Sequence, residues 1–287
     1  MGHLAWDVGD VRITRVVENE VPFALAGLVP EATPEALARH RRWLEPNFLN
    51  ADGTVTLSIH ALVVESSGRR ILVDTCVGER RIPGYESLSD GARPFLRELE
   101  EAGFAPRTID VVLCTHMHFD HVGWNTVREG GRNVPTFPNA RYLFARAEWE
   151  HWTREPSDLF TPTFDECVRP LVDAGQAELV EPLHRITPEV RLEPSPGHTP
   201  GHVSVRIESR GEHAFVTGDM THHPVQWAEP AWKMVADLDP EQAIATRRRL
   251  RGECASQRAL VIGTHYAAPC AGTLEPEAGG FVFRARG

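Results

Sequence analysis

Seven consecutive residues, Thr115-His116-Met117-His118-Phe119-Asp120-His121, crowd three imidazoles and a carboxylate directly behind the apolar run Ile109–Cys114. That run has the short, β-branched composition of a strand. If the chain stays extended beyond it, His116, His118 and Asp120 project to one side, because strand side chains alternate with a period of two. His121 then swings round as the backbone turns. Imidazole mixed with carboxylate is the donor set of borderline metals such as zinc. A polar loop merely rich in histidine is the alternative, and the strand-then-turn context speaks against it.

Further donors stand downstream in Pro196-Gly197-His198-Thr199-Pro200-Gly201-His202, Val216-Thr217-Gly218-Asp219 and Val261-Ile262-Gly263-Thr264-His265. Each lies just beyond an expected strand or in a Gly/Pro turn, where side chains converge on the rim of a sheet. Running in order from Leu72-Val73-Asp74-Thr75 to Gly263-Thr264-His265, these motifs make the chain resemble the metallo-β-lactamase-fold hydrolases over most of its length. The resemblance implies an α/β, four-layer αββα sandwich binding two divalent metal ions, zinc by default. It implies that His116, His118 and His198 hold one metal, that Asp120, His121 and His265 hold the second, and that Asp219 bridges them. Asp74 resembles the family's aspartate that orients a ligand imidazole.

The 287 residues carry a formal charge of −10, which argues against a nucleic-acid groove. No Gly/Ser linker or repeat divides the chain, so one metallo-hydrolase domain over 1–287 is expected. Five cysteines without a Cys-x-x-Cys pair indicate neither a disulfide framework nor a thiolate zinc site. No secretory signal or membrane-spanning run is visible, which makes a cytoplasmic location the default expectation. The Arg247-Arg248-Arg249 run is expected on the solvated face of a helix.

Strands are expected at Val11–Val17, Val55–Glu65, Arg70–Asp74, Arg141–Ala145, Val190–Leu192, His202–Glu208, His213–Thr217, Arg258–Ile262 and Gly280–Arg284. Helices are expected over Ala92–Ala102, from about Arg146, over Phe164–Ala174, and from Asp239-Pro240, where Asp is the N-cap and Pro the first helical residue. Residues 22–50 combine a helix start at Thr33-Pro34 with Phe23, Leu25, Leu28, Trp43 and Phe48. Core packing is the simplest reading of this segment; a cap over the site or a homodimer interface is the alternative.

Two cations with two aspartates generate hydroxide at neutral pH and stabilise a developing oxyanion. The implied reaction is hydrolysis by a metal-bridging hydroxide, with Asp120, Asp219 and His222 as the catalytic residues. His202 and His60 read as structural histidines. Three positions after Asp219, acyl-homoserine lactonases of this fold would call for tyrosine, and this chain has His222. That departure, with Gln226-Trp227-Ala228-Glu229-Pro230 and Ala147-Glu148-Trp149-Glu150-His151-Trp152, resembles the methyl parathion hydrolase branch. The expectation is a hydrolase of small apolar esters or lactones, with organophosphate triesters as a secondary activity. Trp124, Trp149, Trp152 and Trp227 are candidate pocket walls, although core packing is the stronger reading for any one of them. Amide or thioester hydrolysis, of the β-lactamase or glyoxalase II kind, is the runner-up. A catalytically silent metal-binding protein is the reading from a different class.

Overall fold

The computed structural model describes residues 3–277 and 279–286. Seven strands form one sheet, in the order Ala5–Val8, Val11–Phe23, Val55–Ser66, Arg69–Val73, Val111–Leu113, Arg141–Ala145, Ala177–Val180. Six form a second, in the order Val190–Pro194, Val203–Ser209, Glu212–Val216, Leu260–Ile262, Ala271–Glu277, Gly280–Ala285. Period-two alternation divides the first sheet between two apolar layers. Leu62, Val64, Ile71, Val73, Val111 and Leu113 join the core shared with the second sheet. Their neighbours Val63, Leu72 and Val112 pack outward with Phe95, Leu99, Phe164 and Leu171. Those last four lie on helices Phe95–Glu101, Thr161–Cys167 and Arg169–Asp173. The long helix Pro240–Ser256 packs on the second sheet, so the layers run helix, sheet, sheet, helix. Among the described residues, no helix is long and apolar enough to cross a membrane.

Several expected elements shift for identifiable reasons. The helix expected from Ala92 starts at Phe95, after Pro94. The helix expected over Phe164–Ala174 is two pieces that break at Val168, two residues before Pro170, whose missing N–H makes it a helix-starting residue. Asp239 does cap its helix, accepting from the Gln242 N–H at 2.9 Å. Arg248 and Arg249 lie exposed as expected, but Arg247 departs from the solvated arginine run. It is fully buried and donates to the carbonyls of Met220, Pro230 and Trp232 at 2.7–2.9 Å.

Residues 22–50 form the short helices Pro34–Ala38 and Arg41–Leu44 rather than one helical face, and Thr33 caps the first. Leu25, Val29, Leu37, Leu44, Phe48 and Leu49 are buried in the inter-sheet core, while Phe23, Gly27 and Leu28 reach a cavity described below.

Candidate metal centre

Both sheets contain parallel pairs, and the chemistry-bearing residues follow their C-terminal ends. Arg69–Val73 runs parallel to Val111–Leu113, delivering Asp74 and His116; Glu212–Val216 runs parallel to Leu260–Ile262, delivering Asp219 and His265. Beyond Val111–Leu113 the backbone does not stay extended as far as Asp120. His118 occupies the position before a one-turn helix, Phe119–Val122, so Asp120 and His121 are presented by helical rather than strand geometry. This corrects the expected alternation, yet the four side chains still converge.

Two groups of potential metal donors form, with ligand atoms inside each group within 4.8 Å of one another. His116, His118, His198 and Asp219 make the first; Asp120, His121 and His265 make the second. Asp219 Oδ2 lies 3.5 Å from His198 Nε2 and 3.2 Å from His121 Nε2, while its Oδ1 lies 3.1 Å from His265 Nε2. One carboxylate therefore faces both groups. A third grouping, Asp219, His222 and His265, overlaps them.

The surrounding acceptors fix the tautomers. Asp74 Oδ2 is 2.9 Å from His121 Nδ1, Asp237 Oδ1 is 3.0 Å from His198 Nδ1, and the Ser58 carbonyl is 3.0 Å from His265 Nδ1. Carbonyls and carboxylates accept, so each Nδ1 donates and each Nε2 turns a bare lone pair toward the centre. In the neutral, ligating form His121 Nε2 and His265 Nε2 face each other at 3.3 Å, lone pair to lone pair, an arrangement that a cation between them would relieve; without one, the neighbouring carboxylates outweigh burial and raise the pKa of both rings. His116 Nε2 and Asp219 Oδ1 are buried without a hydrogen-bond partner. This donor set fits divalent cations.

Electrostatics divide the imidazoles. Burial, then neighbouring imidazoles, hold His116 and His118 well below the usual histidine range, the neutral form that ligates. Burial also opposes protonation of His121, but Asp219, Asp74 and Asp120 outweigh it and raise its pKa. Burial would raise Asp219; His121, His265, His222 and His116 together hold it well below the usual carboxylate range.

Second-layer residues explain how the loops are held. Asp74 accepts from the Thr115 N–H at 2.7 Å and has a left-handed backbone, φ 60°. His202 sits where a structural histidine was expected: its Nε2 accepts from the Asp219 N–H at 2.8 Å and its Nδ1 meets Ser195 Oγ at 2.8 Å. Gly218, at φ 54°, passes so close beneath it that a Cβ would come within 2.6 Å of His202 Nε2. Buried His60 is held by Ser58 Oγ at 2.9 Å.

Sequence reasoning missed Asp237, Ser58 and Glu18. Glu18 occupies an irregularity between Val17 and Asn19 in the strand pairing, accepts from the N–H groups of Val77 and Gly78, and is pushed by burial up to about 7. A bulge aims the extra side chain out of register, and nothing in the local composition marks it.

A cavity of about 300 Å³ opens onto the centre, with His118, Asp120, His198, Asp219, His222 and His265 among its lining. Leu28, Leu57, Tyr85, Phe119, Phe160 and Met234 wall it, and among the described residues its lining includes no Lys or Arg. The four expected tryptophan walls do not line it. Trp227 is fully buried, Trp124 stacks on Phe95, Trp149 packs on Phe164, and Trp152 lines a neighbouring groove beyond Phe160. Tryptophan's large apolar area is spent on core packing here.

Residues 55–283 match the model of the metallo-beta-lactamase superfamily, and the chain belongs to that superfamily. It is 25% identical over 231 residues to an N-acyl homoserine lactonase of Bacillus cereus, covering 76% of this chain and 84% of that one. It is 26% identical over 222 residues to a protein named a probable metallo-hydrolase of Mycobacterium tuberculosis, covering 70% and 67%. Two solved structures share the fold with TM-scores of 0.81, each covering 100% of this chain and 98% of the other. They are AidC, described as a dizinc quorum-quenching lactonase with a product bound, at 21% identity, and a hydrolase of the beta lactamase superfamily, AbOPH, at 22%.

Proposed function

We propose that this protein is a dinuclear-metal hydrolase of neutral, apolar lactones and esters, with organophosphate triesters as a weaker, secondary class. The observation that carries this reading is the apolar cavity, free of cationic side chains, opening directly onto two adjoining donor clusters. Lactonases among its relatives support the lactone assignment. His116, His118 and His198 would hold one cation, Asp120, His121 and His265 the other, with Asp219 between them. When bound, two such cations supply an activated water and a Lewis acid.

The chain's own residues do the rest. Asp74, Asp237 and the Ser58 carbonyl keep the imidazoles in the ligating tautomer. Phe119, Phe160, Leu28 and Met234 receive the acyl or aryl group and exclude water, which strengthens every charge interaction beneath them. His222, buried and lining the cavity, orients the substrate or protonates its leaving oxygen. Glyoxalase-like thioester chemistry on an acidic substrate would call for a cation in the wall, and none lines it.

The test is metal analysis combined with a panel of lactones, p-nitrophenyl esters, a phosphotriester, a β-lactam and an anionic thioester. Two zinc ions per chain, reversible loss of activity on chelation, and preference for lactones and aryl esters are expected. One metal or none in active protein, or preference for the β-lactam or thioester, would overturn the reading.

A further inference from the structure

Glu148 lies outside the donor clusters, on the helix Arg146–Arg154, and its residue is only 1% exposed. Its carboxylate accepts three N–H groups and, among the described residues, meets no cation. Oε2 takes the backbone N–H of Met117 at 3.2 Å and the indole N–H of Trp152 at 2.9 Å. Oε1 takes the backbone N–H of Gly201 at 2.9 Å. Met117 separates His116 from His118, and Gly201 follows His198 by three residues. Two chain segments about eighty residues apart, which between them carry every histidine of the first donor group, are thus tied to one carboxylate. The approach is close at backbone level as well: a Cβ on Gly201 would come within 2.4 Å of the Glu148 nitrogen.

We infer that Glu148 is a positioning residue that sets the spacing between the His116/His118 loop and the His198 loop, and thereby the metal affinity of the first donor group alone. This rests on the proposed metal assignment. The second group is held by different contacts, His121 by Asp74 and His265 by Ser58, whereas Glu148 bonds only Met117, Trp152 and Gly201 among the described residues. Buried carboxylates that accept from N–H groups form strong, directional bonds. Glutamine has nearly the same shape but carries one acceptor oxygen. It can satisfy Gly201 or the Met117–Trp152 side, and its amide N–H group then faces donors on the other. Loss of such an outer contact weakens metal binding by about 10- to 100-fold where the contact orients ligands.

The experiment uses the full chain in two backgrounds: Asp120→Ala/His265→Ala, which leaves the first donor group intact, and His198→Ala, which leaves the second. Zinc affinity is measured by competition with a chromophoric chelator, and the melting temperature of each metal-free protein is recorded alongside. Glu148→Gln should weaken zinc binding by about tenfold or more in the first background and by less than about threefold in the second. Equal weakening in both, or no change in the first, overturns the inference. If the first background binds no zinc before Glu148 is altered, the metal assignment itself fails. Should the Gln variant not fold, Glu148→Asp, too short to reach both loops, carries the same comparison.

Discussion

Nε2 of His222 stands 3.1 Å from Oδ2 of Asp219, and its ring lies nearly parallel to that of His265, at 5.5 Å and 11°. Its other nitrogen, Nδ1, is buried without a partner. Its Nε2 is taken by the central carboxylate, burial holds its pKa below the usual histidine range, and the unclaimed Nδ1 is the atom through which the proposed substrate-facing role would act.

His222→Phe should therefore keep both metals and the fold but lose about 10²–10⁴-fold in kcat for alkyl lactones, whose leaving oxygen needs a proton. Loss on p-nitrophenyl esters should be much smaller, because that leaving group departs unassisted. Equal rates on all substrates would reduce His222 to part of the wall.

Asp219→Ala should be more damaging than removal of any single histidine, because one carboxylate faces both donor groups. Activity should fall by more than about 100-fold, beyond the usual cost of an outer-shell change. Metal content should drop at both positions. A variant that retains two zinc ions and near-normal turnover contradicts the bridging role.

Arg247→Met tests the buried guanidinium. The change strands three backbone carbonyls and leaves Asp237, 3.7 Å away, without its cation. Breaking a buried charge network in this way costs about 3–5 kcal/mol. Chemical denaturation should register that loss; a change below about 1 kcal/mol would show that the network contributes little.

Stability should also fall with acid through His223. Its Nε2 donates to the Phe48 carbonyl at 2.8 Å and its Nδ1 accepts from the Val225 N–H, so the neutral ring is fully satisfied. Burial holds it down at about 4, against 6.5 for a free histidine. Between those values the unfolded chain takes up a proton that the native state refuses. The stabilisation is thus complete above about pH 6.5 and is lost as pH falls toward 4, on the order of 3 kcal/mol in full. In urea titrations across this range, His223→Gln should show a shallower acid loss than the parent. Parallel curves would mean that the native ring titrates normally.

Much of the centre was legible because its donors sit in short motifs at strand ends, and the structure brings all seven together. Asp74 and His202 were legible for the same reason. The walls were not. Which tryptophan faces a cavity depends on how helices pack on the outer face of the first sheet, and Trp124 and Trp149 meet Phe95 and Phe164 there. Asp237 and Glu148 were equally opaque, since the partners that tie them to the centre, His198 for Asp237 and Met117 and Gly201 for Glu148, lie 39, 31 and 53 residues away. The arginine run misled only at Arg247, because three like charges suggest solvent, whereas the carbonyls that Arg247 satisfies, of Met220, Pro230 and Trp232, lie 15 to 27 residues away.

The cavity walls contributed by Leu28, Tyr85 and Met234 come from loops that bear none of the seven donors. Reactivity and selectivity are therefore inherited through different stretches of chain. Insertions, deletions or exchange at the Leu28 and Tyr85 loops can redirect the molecule toward larger, smaller or flatter molecules while the centre beneath remains intact, whereas the Met234 loop also carries Asp237, which holds His198, and is tied to the centre. Lineages sharing this architecture can diverge in what they degrade faster than in how they degrade it.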